Sequence, residues 1–106
     1  MGRFVDHRRM KLYKLLWKSG GENFCFYCHE QVFRRDRSLD HLTPKSRGGD
    51  WSRENIVLCH RQCNWAKADM TLAEFADFVA KHGGIHAVKA KYGTGAHSRK
   101  NLVEIA

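Results

Sequence analysis

Negative charge is scarce in this chain. Eleven Asp and Glu stand against nineteen Lys and Arg, for a formal net charge of +8 and a pI near 9.6. A deficit of this size argues for a polyanionic partner, and nucleic acid is the commonest. Long apolar runs are also missing. None approaches the roughly 18 residues that a membrane span needs, so a spanning helix is excluded. The first residues, Met1 to His7, hold neither a long apolar stretch nor a small-residue cleavage site, so no secretory signal is read there. The expected location is the cytoplasm, where disulfides are rare. Repeats and low-complexity segments are absent too, and no boundary precedes Gly93. With 106 residues, the expectation is one domain with a thin core, a size that often relies on a metal or a disulfide. Under those conditions the four cysteines read as metal ligands.

Along the chain, Asp6 can cap a helix over about 7–19. Met10, Tyr13, Leu16 and Trp17 fall on one face of it, widened by Leu12 and Leu15. Arg8, Arg9, Lys11, Lys14 and Lys18 take much of the rest, and Gly20-Gly21 end it. Phe24 to His29 reads as a tight turn carrying Cys25 and Cys28. Gln31 to Phe33 suits a short strand, and Arg34 to Arg37 a charged turn. Leu39 to Leu42 reads as a strand that Pro44, the single proline, stops. Lys45 to Asp50 is a loop, and Asn55 to Leu58 a second strand. A helix follows from His60 or Arg61 to about Asp69. Thr71 and Glu74 then form a capping box that opens a helix over Leu72 to Lys81. Its apolar face is Leu72, Phe75, Phe78 and Val79. Gly83-Gly84 stop it, and Ile85 to Tyr92 makes a further short helix. A basic-leaning tail runs from Gly93 to Ala106.

Two thiolates separated by two residues can reach one metal ion from a turn. The pair Cys25 and Cys28 therefore needs partners. His60 and Cys63 repeat its spacing, and together the four make a tetrahedral zinc set. Cys59 would then point into the core as a small apolar residue. The alternative set puts Cys59 in place of His60. Either way, the metal clamps the turn before the first strand to the helix after the second, and its binding energy becomes folding energy.

A zinc staple has no use for Asp40, His41, Asn55, Asn64 or Lys67. Phosphodiester cleavage does. It needs a base for water, a cation for the charge on phosphate, and donors that position the backbone. His41 suits the base, because imidazole titrates near neutral pH. Asp40 suits a hard ion such as Mg²⁺ or Mn²⁺, and the Asn64 amide oxygen could complete its protein ligands. Lys67 lies three residues on, along the same helical face, where an ammonium could hold a phosphate. Strand alternation puts Asp40 and His41 on opposite sides, so one site can use both only if the strand is short and twisted.

Taken in order, Cys25-x-x-Cys28, Asp40-His41-x-x-Pro44, Gly48-Gly49, Asn55-Ile56-Val57-Leu58 and His60-x-x-Cys63-Asn64-x-x-Lys67 resemble the HNH endonucleases. The resemblance covers residues 25 to 69. It implies an α+β chain with a zinc-stapled ββα-metal core, here flanked by the N-terminal basic helix and the C-terminal helical extension and tail of 71–106. By the same resemblance His41 is the general base, and Asp40 and Asn64 hold a catalytic Mg²⁺ or Mn²⁺. Asn55 fixes the loop after His41, and Lys67 contacts phosphate or positions water. Asn64 stands where the family name has its last histidine.

The implied activity is metal-dependent hydrolysis of double-stranded DNA, nicking one strand with little sequence preference. Arg8, Arg9, Lys11, Lys45, Arg47 and Lys67 are the candidate nucleic-acid contacts. A monomer or weak dimer is expected, with a phage or restriction-system protein as a further partner and a bacterial or phage origin. The competing reading is a non-catalytic zinc module that binds nucleic acid, which leaves Asp40, His41 and Asn64 without a task. A protein-interaction role for the capped helix could coexist with either. His7, His29, His82, His86 and His97 read as surface residues, and Trp51 and Trp65 as packing residues.

Overall fold

The computed structural model describes residues 7–94. The expected cap at Asp6, the tail beyond Thr94 and His97 lie outside them. The described chain is α+β: helix α1 (His7–Leu16), strand β1 (Arg37–His41), strand β2 (Ile56–His60), and helices α2 (Arg61–Lys67), α3 (Leu72–Lys81) and α4 (Ile85–Tyr92). The strands form one antiparallel pair in which Leu39 faces Leu58, Asp40 faces Val57 and His41 faces Ile56. No helix among the described residues is long and apolar enough to cross a membrane.

Alternation along the two strands builds two layers. Leu39, Ile56 and Leu58 cluster with buried Leu12 of α1, and Tyr13, Leu16, Trp17 and Trp51 pack around them. Cys59, from the other face of β2, joins Cys25, Cys28, Val32 and Cys63. Helix α2 lies on that second side, where the Asn64 amide nitrogen donates to Ser38 Oγ at 2.8 Å. The sheet is thus sandwiched between α1 and α2. A third cluster, Ala66, Met70, Phe75 and Val88, ties α2 to α3 and α4.

Local chemistry explains most element ends. The Thr71 capping box is complete: Glu74 N donates to Thr71 Oγ1 at 3.2 Å, and Thr71 N to Glu74 Oε1 at 3.0 Å. Helices α3 and α4 span the residues that the sequence pattern predicts. Other expectations change: strand β2 starts at Ile56 and runs on to His60, and helix α2 stops at Lys67. Helix α1 ends at Leu16, and Met10 is 50% exposed, because Leu12 rather than Met10 turns to the sheet. Strand β1 begins two residues early, at Arg37, whose guanidinium lies 4.1 Å from the Tyr13 ring centre. The strand expected over Gln31 to Phe33 reduces to a single bridge between Phe24 and Gln31.

Candidate active site

The knuckle comes first. Phe26 N donates to the Leu58 carbonyl at 2.9 Å, which docks the turn on β2. His29 closes the turn with a left-handed φ of 65°. Cys25 Sγ accepts backbone N–H groups from Tyr27 at 3.4 Å, Cys28 at 3.5 Å and His60 at 3.4 Å. The Cys63 thiol and these N–H groups pull the Cys25 thiol below its ordinary range, toward the thiolate that binds metal. His60 Nε2 donates to the Gln31 carbonyl at 2.9 Å, and Nδ1 faces Cys28 Sγ at 3.2 Å. A backbone carbonyl holding one ring nitrogen while the other faces the ligand cluster is the usual outer support of a metal-bound histidine.

The ligand atoms of Cys25, Cys28, His60 and Cys63 all lie within 4.8 Å of one another, and all four residues are buried. Three sulfurs and one imidazole at this spacing fit a structural zinc. Cys59 is fully buried in the core beside the group, and burial pushes its thiol well above the ordinary range. The geometry therefore selects His60 over Cys59. Lys89 of α4 reaches the same cluster, with Nζ 3.6 Å from Cys28 Sγ. Nothing in the sequence points to Lys89.

Beyond the staple, Asp40, His41 and Asn64 line one cleft of about 370 Å³ together with Arg9, Lys45 and Asp69. The cleft wraps the end of β1. Alternation does send Asp40 toward α2 and His41 toward α1, but the strand ends at His41 and the cleft opens across both faces. Asp40 is 6% exposed. Its Oδ2 accepts the Tyr27 hydroxyl and pairs with Lys67 Nζ at 3.1 Å. The Asn64 amide nitrogen is held by Ser38 Oγ and by the Leu39 carbonyl at 3.3 Å, so the amide group is fixed in orientation.

His41 meets Trp51 edge to face, with ring centres 4.5 Å apart. Burial lowers the His41 pKa against the opposing pull of Asp40, and Lys45, Arg9 and Lys67 lower it further. These effects favour the neutral imidazole. His41 Nε2 is buried and makes no hydrogen bond among the described residues.

Asn55 closes the loop between the strands. Thr43 N donates to its Oδ1 at 2.9 Å, and its Nδ2 donates to the Thr43 carbonyl at 3.0 Å and the Asp50 carbonyl at 2.9 Å. The loop crosses itself so closely that a Cβ on Gly49 would sit 1.7 Å from the Thr43 oxygen. Gly48 turns with a φ of 94°. Both glycines are thus required by backbone geometry.

A family model for HNH endonuclease matches residues 25–78, just over half of the chain. The chain belongs to the HNH endonuclease family. No curated protein matches it. Within this HNH chain, Lys67 departs from its expected part. It is completely buried, and its ammonium also donates to the His41 carbonyl at 2.8 Å. As placed, Lys67 faces protein and not solvent, so a direct phosphate contact does not follow from this arrangement.

The other basic candidates divide. Arg8, Arg9 and Lys45 gather within 5.0, 5.5 and 5.8 Å of the Trp51 ring centre. Lys11 is exposed. Arg47 pairs with Glu74 on the surface. Trp51 is half-buried against the α1 cluster, in keeping with packing, whereas Trp65 is 38% exposed under Arg61. Two of the histidines read as surface residues, His82 and His86, are exposed and also have neighbours. His82 stacks on Phe78 with ring centres 4.0 Å apart, and His86 lies 3.6 Å from Glu30.

Proposed function

We propose that this HNH chain hydrolyses DNA phosphodiester bonds with a divalent ion, one strand at a time and with little sequence preference. One observation carries the reading: Asp40, His41 and Asn64 line a single cleft with Arg9 and Lys45 on its wall. The donor chemistry fits a hard cation, because a carboxylate and a fixed amide group share the cleft. Asp40 and Asn64 would hold Mg²⁺ or Mn²⁺, which when bound supplies Lewis-acid stabilisation of charge on the phosphate.

The protein's own groups do the rest. His41 accepts the proton of the attacking water, and burial favours the neutral form that a base requires. Asn55 holds both ends of the adjoining loop, so the base keeps its place. Arg8, Arg9, Lys11 and Lys45 contact DNA phosphates, which give affinity without reading bases. Arg47 can join them only by leaving Glu74. Lys67 acts indirectly, by holding Asp40 and the His41 backbone. In this reading the core of 25–69, the basic helix and the C-terminal extension work as one domain on duplex DNA. A single cleft per chain cuts a single strand per visit, so a monomer or weak dimer nicks.

Supercoiled plasmid tests this with Mg²⁺, Mn²⁺ or EDTA. Open circles should form only with an ion, and linear DNA only after a lag. No cleavage with either ion, by protein shown to be folded and zinc-loaded, would reduce the chain to a nucleic-acid-binding module.

A further inference from the structure

Tyr27 sits inside the knuckle, between Cys25 and Cys28, yet its hydroxyl leaves the staple. It donates to Asp40 Oδ2 of β1. The ring is held on both sides, edge to face with Phe26 at 5.3 Å and with Phe75 at 5.4 Å. Its backbone N–H is bonded to Cys25 Sγ at 3.4 Å. Lys67 Nζ, from α2, reaches the same carboxylate oxygen at 3.1 Å. Two donors from two elements thus converge on one oxygen. Asp40 Oδ1 makes no hydrogen bond among the described residues, and Asp40 lines the cleft.

We propose that Tyr27 is a positioning residue for the ion-binding carboxylate, and that through it the state of the zinc knuckle sets the affinity of the cleft for its divalent ion. This rests on the assignment of Asp40 as an ion ligand made above. The physical reason is rotational. A carboxylate pinned at one oxygen presents the other in a fixed direction, and that order need not be imposed when the ion binds. Lys67 alone supplies a charge but no second anchor. A knuckle without zinc no longer fixes the Tyr27 backbone, so the anchor loosens with the staple. Outer-shell partners of this kind change metal affinity by roughly 10- to 100-fold.

A packing role makes a different forecast. Phenylalanine keeps the contacts with Phe26 and Phe75, so Tyr27→Phe would then leave ion binding unchanged. The experiment is Mn²⁺ binding by electron paramagnetic resonance on the full, zinc-loaded chain, with Tyr27→Phe and Asp40→Asn alongside. Tyr27→Phe should raise the Mn²⁺ Kd by about tenfold at full zinc content. Asp40→Asn should lose the site. If Tyr27→Phe binds as the native chain does while Asp40→Asn does not, the positioning role is overturned and the ion site stands. If Asp40→Asn binds normally, the ion-ligand assignment itself fails.

A second measurement needs no variant. Coupling between affinities is reciprocal, so saturating Mn²⁺ should lower the zinc Kd of the native chain, measured at equilibrium against a zinc-selective chelator. The same zinc Kd with and without Mn²⁺ overturns the proposal, even if Tyr27→Phe fails to fold.

Discussion

A buried ammonium next to a buried carboxylate is tolerable only while each keeps its partner. Lys67 and Asp40 are such a pair, at 3.1 Å with 0% and 8% of their side chains exposed. Lys67→Met should therefore strand the Asp40 charge and cost roughly 3 kcal/mol of stability. Urea unfolding of the zinc-loaded chain measures it, and a loss under about 1 kcal/mol, the scale of an exposed pair, would contradict the pairing. This pair marks the limit of what single residues disclose. Asp40, His41 and Asn64 were legible because their chemistry has no structural use in a staple. Lys67 was legible as a member of the motif but not as a buried group, since lysine is almost never fully buried unless paired. Tyr27, the other partner of Asp40, carried no signal, because a tyrosine between two cysteines is ordinary packing material until the fold brings Asp40 to it.

At the scale of elements, a metal held by Cys25, Cys28, His60 and Cys63 would join what the sheet alone cannot. Two five-residue strands make a marginal sheet by themselves. The four-residue cluster joins the knuckle, the end of β2 and the start of α2. Zinc binding in small modules supplies about 10 to 16 kcal/mol of folding energy. Zinc removal by a strong chelator, or Cys25→Ser, should therefore collapse the helical circular dichroism signal, with recovery on adding zinc only in the native chain. A chelated protein that keeps its full helical signal would contradict a structural zinc. Elements with their own punctuation were readable: the Thr71 capping box and Gly83-Gly84 bound α3, and the pattern located α4. Elements defined by partners were not. The apolar residues of α1 allow two faces, and only the position of Leu39, Ile56 and Leu58 selects Leu12 over Met10. Spacing likewise leaves Cys59 and His60 in competition, and only the fold, which groups the His60 ring nitrogen with the sulfurs of Cys25, Cys28 and Cys63, separates them.

For the whole molecule, the +8 charge is not evenly spent on solubility. Arg8, Arg9 and Lys45 meet at Trp51, and Trp51 meets His41. The basic N-terminal helix and the loop between the strands thus both bring cations to the cleft, where they would draw a polyanion toward His41. The central claim is that His41 is that base. The cleavage rate of His41→Ala on supercoiled plasmid with Mg²⁺ or Mn²⁺, beside the native chain, tests it most directly. Both proteins must first be shown folded and zinc-loaded. The rate should fall by roughly 10² to 10⁴, with plasmid binding retained. Cleavage by His41→Ala at the native rate would contradict it.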